Sequence, residues 1–193
     1  MGLKIEKQWQ IAASIEEVWD FLTDPYKAAQ CMSGAEITRQ VDPQTYEGTM
    51  TVKVGPIVAK YKGQVRIEKN RESYEVIAVG RGQDVQGKGG AEGRMVSRFR
   101  LLENGKTEVT ATSDVNLNGR LVQFGRGMID EVADQYFRQF TAAVRERLEK
   151  KERAKEQATP SPSAEPAPLN AFALLARAFF SWLKKLFGGG PAR

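Results

Sequence analysis

Alternation of apolar and polar side chains predicts strands along much of the N-terminal part of the chain. The first run covers residues 3–11, where Lys7 interrupts the apolar series. The alternation returns over residues 35–117 and is divided by turn sequences such as Gly-Pro at 55–56 and Asn-Gly at 104–105. A period of two is typical of strands with one buried face. Short turns between such strands favour an antiparallel meander.

Helical spacing occurs before and after this meander. Ser14 and Glu17 form a capping box ahead of one short helix, and a second short helix is predicted over residues 26–32. After Gly119, apolar residues fall at spacings of three and four up to Leu148, which predicts one long amphipathic helix lying across the sheet. The predicted fold is therefore α+β, with an antiparallel sheet of about six or seven strands wrapped around a long C-terminal helix.

The chain beyond this predicted domain, residues 1–148, divides into four segments. Residues 149–158 favour a helix but are polar on all sides, which predicts a stalk. Residues 159–168 hold four of the eight prolines, a composition typical of an extended linker. Residues 169–187 place aromatic and leucine side chains opposite a basic face, and residues 188–193 form a flexible end. The sequence thus predicts a tethered amphipathic tail helix.

The pattern of this tail is typical of a helix that lies in a membrane interface. Its basic residues disfavour a spanning helix and favour an anionic cytoplasmic surface. Docking on its own domain or on a partner protein is the alternative, but the proline-rich linker and the many exposed aromatic side chains favour a membrane. The predicted membrane-binding residues are Phe172, Leu175, Arg177, Phe179, Phe180, Trp182, Leu183, Lys184, Lys185, Leu186 and Phe187.

Composition acts mainly by exclusion. The 193 residues contain no His and a single Cys, Cys31, which excludes His-based nucleophilic catalysis, an internal disulfide and CxxC-type zinc sites. Four of the 29 Lys and Arg residues lie in 169–193, which leaves 25 basic against 24 acidic residues in the remainder. This nearly neutral body argues against a nucleic-acid binder. With no secretory signal at the N-terminus, we expect a cytoplasmic, non-catalytic protein without a metal site.

Two stretches of the meander receive structural interpretations. Arg98 and Arg100 are expected to face Glu108 and Asp114 across neighbouring strands on the solvated side of the sheet. Residues 80–93 contain six glycines but lack the ending of a phosphate-binding loop. This favours a flexible strand connection, or a mobile lip over a cavity.

Inward positions mix bulky and small side chains, which predicts incomplete filling between sheet and helix. An apolar pocket with few polar groups suits a hydrophobic small molecule, and a solid core is the alternative. Tyr61, Tyr74 and Tyr136 are either core residues or hydrogen-bond donors to a ligand carbonyl, which the sequence leaves open. The predicted cavity residues are Met50, Val52, Val54, Ala59, Tyr61, Met95, Phe99, Val109, Ala111, Val115, Leu121, Phe124, Met128, Val132 and Tyr136.

The order of strand, two short helices, meander and long helix resembles the START-like, helix-grip superfamily (SRPBCC) of hydrophobic-ligand binders. Within it, several stretches are similar to the CoxG family of carbon-monoxide dehydrogenase proteins. They are AQCMSGAE at 29–36, VKVGPI at 52–57, YKG at 61–63, KGG at 88–90, NGRL at 118–121, MID at 128–130 and FRQF at 137–140. The resemblance covers residues 3–148 and departs at Ser33, where the family usually has proline.

This resemblance implies a non-catalytic accessory protein of a molybdenum-containing carbon-monoxide dehydrogenase or related hydroxylase. Members are associated with bringing that enzyme to the cytoplasmic face of the cell membrane, and many carry a C-terminal membrane segment. The implied cargo is an isoprenoid quinone, menaquinone or ubiquinone, which accepts the enzyme's electrons; no covalent cofactor is expected. The alternatives are a ligand-free membrane adaptor or assembly factor for the dehydrogenase, and a START-like cyclase or dehydratase. The absence of His disfavours the enzyme.

Overall fold

The computed structural model describes the backbone of residues 1–158 and the side chains of residues 1–150. The predicted linker, tail helix and flexible end, with all the predicted membrane-binding residues, lie outside this range. The strands within it are β1 (Gly2–Ile11), β2 (Ala35–Gln40), β3 (Thr45–Val54), β4 (Ile57–Asn70), β5 (Glu75–Asp84), β6 (Gly90–Leu101) and β7 (Thr107–Leu117). They form one antiparallel sheet in the order β1-β7-β6-β5-β4-β3-β2, which confirms the predicted meander.

Three α-helices accompany the sheet in the described part of the chain. They are α1 (Ile15–Leu22), α2 (Pro25–Cys31) and α3 (Gly125–Ala158). The first two connect β1 to β2, and α3 follows β7 after a 3-10 helix at Gly119–Phe124. The long C-terminal helix packed on an antiparallel sheet confirms the predicted helix-grip fold.

Side-chain caps set the start of the two short helices. The Ser14 hydroxyl accepts a hydrogen bond from the Glu17 amide at 3.3 Å, as the capping box predicts. The Asp24 carboxylate accepts one from the Tyr26 amide at 3.0 Å and so caps α2. Pro25 is therefore the first residue of α2, a position where its missing N–H costs no hydrogen bond.

The prediction of one uninterrupted helix after Gly119 is wrong in its first turns. Gly119–Phe124 forms a 3-10 helix, and Gly125 with φ +75° separates it from α3. Glycine adopts this left-handed φ without the steric strain of a Cβ atom. From Gly125 the helix then continues through residues 149–158 to Ala158.

Two clusters of buried side chains occupy the inner face of the sheet, which packs against α3. The first includes Trp9, Ile11, Val18, Trp19, Phe99, Val109, Val144 and Leu148. The second consists of Leu3, Val54, Ala59, Tyr61, Leu121 and Ile129. The first cluster joins α1 to the later turns of α3, and the second joins the 3-10 helix to its first turns. Burial of this apolar surface is the main source of the fold's stability.

Ion pairs on the outer face only partly follow the prediction. Arg100 pairs with Glu108 at 2.6 Å, and this guanidinium holds the pKa of the Glu108 carboxyl below its usual value. Arg98 instead pairs with Glu75 at 2.7 Å. The register explains the error, because Arg98 lies opposite Glu75 on β5 and opposite Thr110 on β7.

The glycine-rich stretch of residues 80–93 is mostly strand, so the predicted flexible connection is wrong. Gly80 and Gly82 belong to β5, and Gly90 and Gly93 belong to β6. The hairpin turn between them is short. The physical reason is that glycine is compatible with a paired strand as well as with a loop, and here it reduces the volume of strand residues that face α3.

Candidate ligand-binding site

A cavity of about 770 Å³ lies between the inner face of the sheet and the helices. All seven strands, α1, α2, the 3-10 helix and α3 contribute to its walls, and the lining is almost entirely apolar. Its volume falls in the range of roughly 300–1,000 Å³ that is typical of small-molecule sites. The alternative of a solid core therefore does not describe this domain.

The cavity exists because small residues occupy the inner face below the middle of α3. Gly63 lies opposite Gly82, and Gly80 lies opposite Gly93 in the strand register. A Cβ atom at Gly63 would lie 2.1 Å from a backbone oxygen of β5, so only glycine fits there. At Gly80 the nearest such atom is 3.8 Å away, so a side chain would fit and would project into the cavity.

Twelve of the fifteen predicted cavity residues line the cavity, and three do not. The twelve are Met50, Val52, Val54, Tyr61, Met95, Phe99, Val109, Ala111, Val115, Leu121, Val132 and Tyr136. Ala59 is enclosed in the second core cluster, against which Phe124 also packs. Met128 is 41% exposed, because it precedes the inward-facing Ile129 by one residue on α3.

Sequence reasoning missed the wall that α1, α2 and the residue after α2 provide. Leu22, Pro25 and Met32 line the cavity, but two helices of eight and seven residues are too short to show which face is buried. Phe137 and Phe140 also line it. Their place in the apolar stripe of the long helix was a usable signal for both.

Lys7 belongs to the inward face of β1 and lines the cavity, so it does not interrupt the strand pattern. Its ammonium group donates a hydrogen bond to the Asp134 carboxylate on α3 at 2.5 Å and lies 5.6 Å from the centre of the Phe137 ring. Phe137 also makes an edge contact with Trp9, with ring centres 5.2 Å apart. A charged pair and an aromatic cluster thus join β1 to α3 beside the cavity.

Replacing Asp134 with Asn should lower stability only where the carboxyl is ionised. The hydrogen bond from Lys7 holds the pKa of Asp134 below its usual value. The pair therefore stabilises the folded state above the unfolded pKa of about 4, and this contribution is lost as pH falls through the lower folded pKa. Thermal unfolding should separate wild type from D134N at about pH 6 to 7 and show convergence by about pH 2 to 3. A gap in Tm that stays constant down to the lowest pH would contradict this role.

The three tyrosines that the sequence left open have different surroundings. The Tyr136 hydroxyl donates to the Thr51 carbonyl at 3.2 Å and so joins α3 to β3. The Tyr74 hydroxyl donates to Glu16 at 3.4 Å, away from the cavity lining. Tyr61 lines the cavity, and among the described residues its hydroxyl has no hydrogen-bond partner.

The surroundings of Tyr61 keep its phenol neutral. Burial, followed by the nearby Asp84 carboxylate, raises the pKa of the Tyr61 hydroxyl above its usual value. A neutral phenol can donate a hydrogen bond to a carbonyl oxygen. Tyr61 is therefore a polar group in the cavity wall that is available to a ligand.

Cys31 is a packed residue. It is 4% exposed, and the Arg147 guanidinium donates to its sulfur at 2.9 Å. Burial raises the pKa of the thiol. A thiol that is buried and protonated is a poor nucleophile.

The family model for CoxG, a component of carbon monoxide dehydrogenase, matches residues 8–149, which include most of the cavity wall. The chain belongs to the CoxG family. The match covers the domain and ends within α3, so the tail lies beyond it. No functionally curated protein matches the sequence of this CoxG family member.

Solved structures similar to this CoxG domain share its fold. A conserved protein from Geobacillus kaustophilus has a TM-score of 0.70 and 19% identity over 77% of this chain and 96% of its own. The Zhui aromatase/cyclase from Streptomyces sp. R1128 has a TM-score of 0.62 and 15% identity over 80% and 98%. A START superfamily protein from Mycobacterium smegmatis has a TM-score of 0.54 and 14% identity over 76% and 97%. These likenesses establish a START-like fold and nothing about activity.

A membrane-spanning helix needs about 20 mostly apolar residues. No helix within residues 1–158 of this CoxG family member combines that length with that composition.

Proposed function

We propose that this CoxG family member is a membrane-tethered, non-catalytic accessory protein that carries an isoprenoid quinone, such as menaquinone or ubiquinone. It would couple a molybdenum-containing carbon-monoxide dehydrogenase or related hydroxylase to the respiratory chain at the cytoplasmic face of the membrane. The observation that carries the proposal is the apolar cavity of about 770 Å³. Family membership supports the dehydrogenase as the partner, and the amphipathic sequence of residues 169–187 supports the tether.

The chemistry of the cavity wall suits a quinone. The apolar lining accommodates an isoprenoid chain, since burial of each methylene group contributes about 0.8 kcal/mol. A quinone ring offers two carbonyl acceptors and no donor. The unpartnered hydroxyl of Tyr61 supplies the complementary donor. A buried indole N–H at Trp9, also in the wall, has no acceptor in the described part of the chain.

Replacing Tyr61 with Phe tests the head-group contact. A hydrogen bond contributes about 0.5–1.5 kcal/mol, so Y61F should weaken binding of menaquinone about three- to tenfold. Binding of squalene, a hydrocarbon without carbonyl groups, should not change. Both affinities can be measured by quenching of tryptophan fluorescence on titration.

Tyr136→Phe is the matched control, because Tyr136 lines the same cavity but its hydroxyl is engaged by Thr51. Y136F should lower thermal stability and should leave the ratio of menaquinone to squalene affinity unchanged. If Y61F keeps full menaquinone affinity, Tyr61 is not the anchor. If neither ligand binds the wild-type protein, the carrier function itself is wrong.

A further inference from the structure

The two ends of the sheet differ in charge. One end comprises the β3–β4 turn, the β5–β6 turn and the 3-10 helix, and we call it the basic end. Its residues 51–60, 85–91 and 118–129 contain five Lys and Arg residues and no Asp or Glu. The turns at the opposite end, residues 41–44, 71–74 and 102–106, contain three acidic and two basic residues.

Backbone hydrogen bonds make the basic end one continuous surface. The Val85 amide donates to the Lys60 carbonyl at 2.9 Å, which joins the two hairpins. The Arg120 amide donates to the Lys88 carbonyl at 2.9 Å, which joins the β5–β6 turn to the 3-10 helix. A Cβ atom at Gly119 would lie 2.1 Å from that same carbonyl oxygen, so these segments are packed against each other.

This surface combines exposed valines with unpaired lysines. Val58 is 54% exposed and Val85 is 56% exposed. Lys53, Lys60 and Lys88 are exposed, and no described acidic side chain forms an ion pair with any of the three. The cations left free are thus flexible lysines carrying apolar stems next to apolar side chains.

The arginines of the basic end are already engaged. Arg120 lies 3.9 Å from the buried Asp84 carboxylate, and Arg126 lies 3.7 Å from Asp130. Planar arginine forks are the groups that read a defined carboxylate geometry, whereas lysines act as mobile point charges. The free charges here therefore suit a diffuse anionic surface better than a specific acidic protein.

We infer that the basic end of the domain rests on an anionic lipid bilayer, with Lys53, Lys60 and Lys88 among the headgroups and Val58 and Val85 at the acyl boundary. Isolated apolar side chains ringed by lysines are the chemistry of interfacial membrane binding. The inference rests on the proposed membrane carrier and deepens it by giving the domain a fixed orientation on the bilayer. A tether alone would leave the domain free to tumble.

Environment-sensitive labels on the full chain test this orientation. In a C31A parent, NBD is attached at V85C or, as the control, at L101C, which lies at the opposite end and is 55% exposed. With vesicles of phosphatidylcholine and phosphatidylglycerol, NBD at position 85 should brighten, shift to the blue and be quenched by brominated acyl chains. NBD at position 101 should change little. Equal responses at both positions, or a response at neither, would overturn the inference.

Charge-matched variants provide a second measurement that needs no label. K60Q/K88Q and K69Q/K106Q each remove two lysines, the first pair from the basic end and the second from the other end. The rate of menaquinone transfer from anionic vesicles should fall roughly fivefold per lysine in the first variant only. Equal rates in both variants would overturn the inference while leaving quinone binding intact. A V85C label that responds to the dehydrogenase and not to vesicles would overturn it too, and would assign the basic end to that protein.

Discussion

Replacing Gly80 with Phe should leave the protein folded and remove most of its quinone binding. Gly80 lies on the inner face of β5 and lines the cavity, and a Cβ atom there meets nothing closer than 3.8 Å. Phenylalanine has a high strand propensity, so the backbone tolerates it. Its ring would occupy space that the ligand needs. Because overpacking costs about 1–3 kcal/mol, menaquinone affinity should fall about tenfold or more.

The neighbouring position supplies the matched control. Val79 is 48% exposed on the outer face of the same strand, so V79F adds an aromatic ring one residue away without entering the cavity. V79F should bind menaquinone as the wild-type protein does, as measured by titration and by the stoichiometry of bound quinone after gel filtration. Full binding by a folded G80F would show that the ligand lies elsewhere.

Deleting residues 169–193 should release the protein from membranes while preserving its cargo site. The deleted segment contains Arg177, Lys184 and Lys185. At about 1 kcal/mol for each basic residue near an anionic surface, these three alone account for roughly 100-fold in partitioning. The aromatic and leucine side chains add to this. In flotation with anionic liposomes the truncated chain should stay at the bottom of the gradient, and it should still take up menaquinone from detergent.

A full-length variant separates charge from hydrophobicity in the tail. R177Q/K184Q/K185Q keeps every apolar residue and removes the basic face. It should still float with liposomes but should lose its preference for anionic over neutral lipid. A truncated chain that floats as well as the full one would contradict the assignment of the tail as an anchor.

The sequence predicts the fold well because its signals are local. Period-two alternation, the cap at Ser14 and the turns at 55–56 and 104–105 act between residues close in the chain, and all agree with the structure. The break at Gly125 was missed because apolar spacing passes through it unchanged, while only the backbone φ shows it. The partner of Arg98 was missed because it depends on the register with β5.

The candidate site is harder to predict because a cavity is defined by what is absent between distant elements. Alternation found the inward residues of the strands, so most of the predicted lining is in place. It did not show that Lys7 also faces inward and pairs with Asp134, since a charge in an apolar series looks like an interruption. Nor did it show that α2 closes one wall, which depends on packing and not on pattern.

Mass spectrometry of an organic extract from the full chain, purified gently from membrane-containing cells, tests the central claim most directly. The proposed carrier should yield about one isoprenoid quinone per chain, and G80F purified in parallel should yield about a tenth of that or less. An empty cavity can be challenged by incubating the protein with menaquinone-loaded liposomes and repeating the extraction. Quinone in either extract supports the carrier. Its absence from both would contradict the account and leave the chain as a ligand-free membrane adaptor of the dehydrogenase.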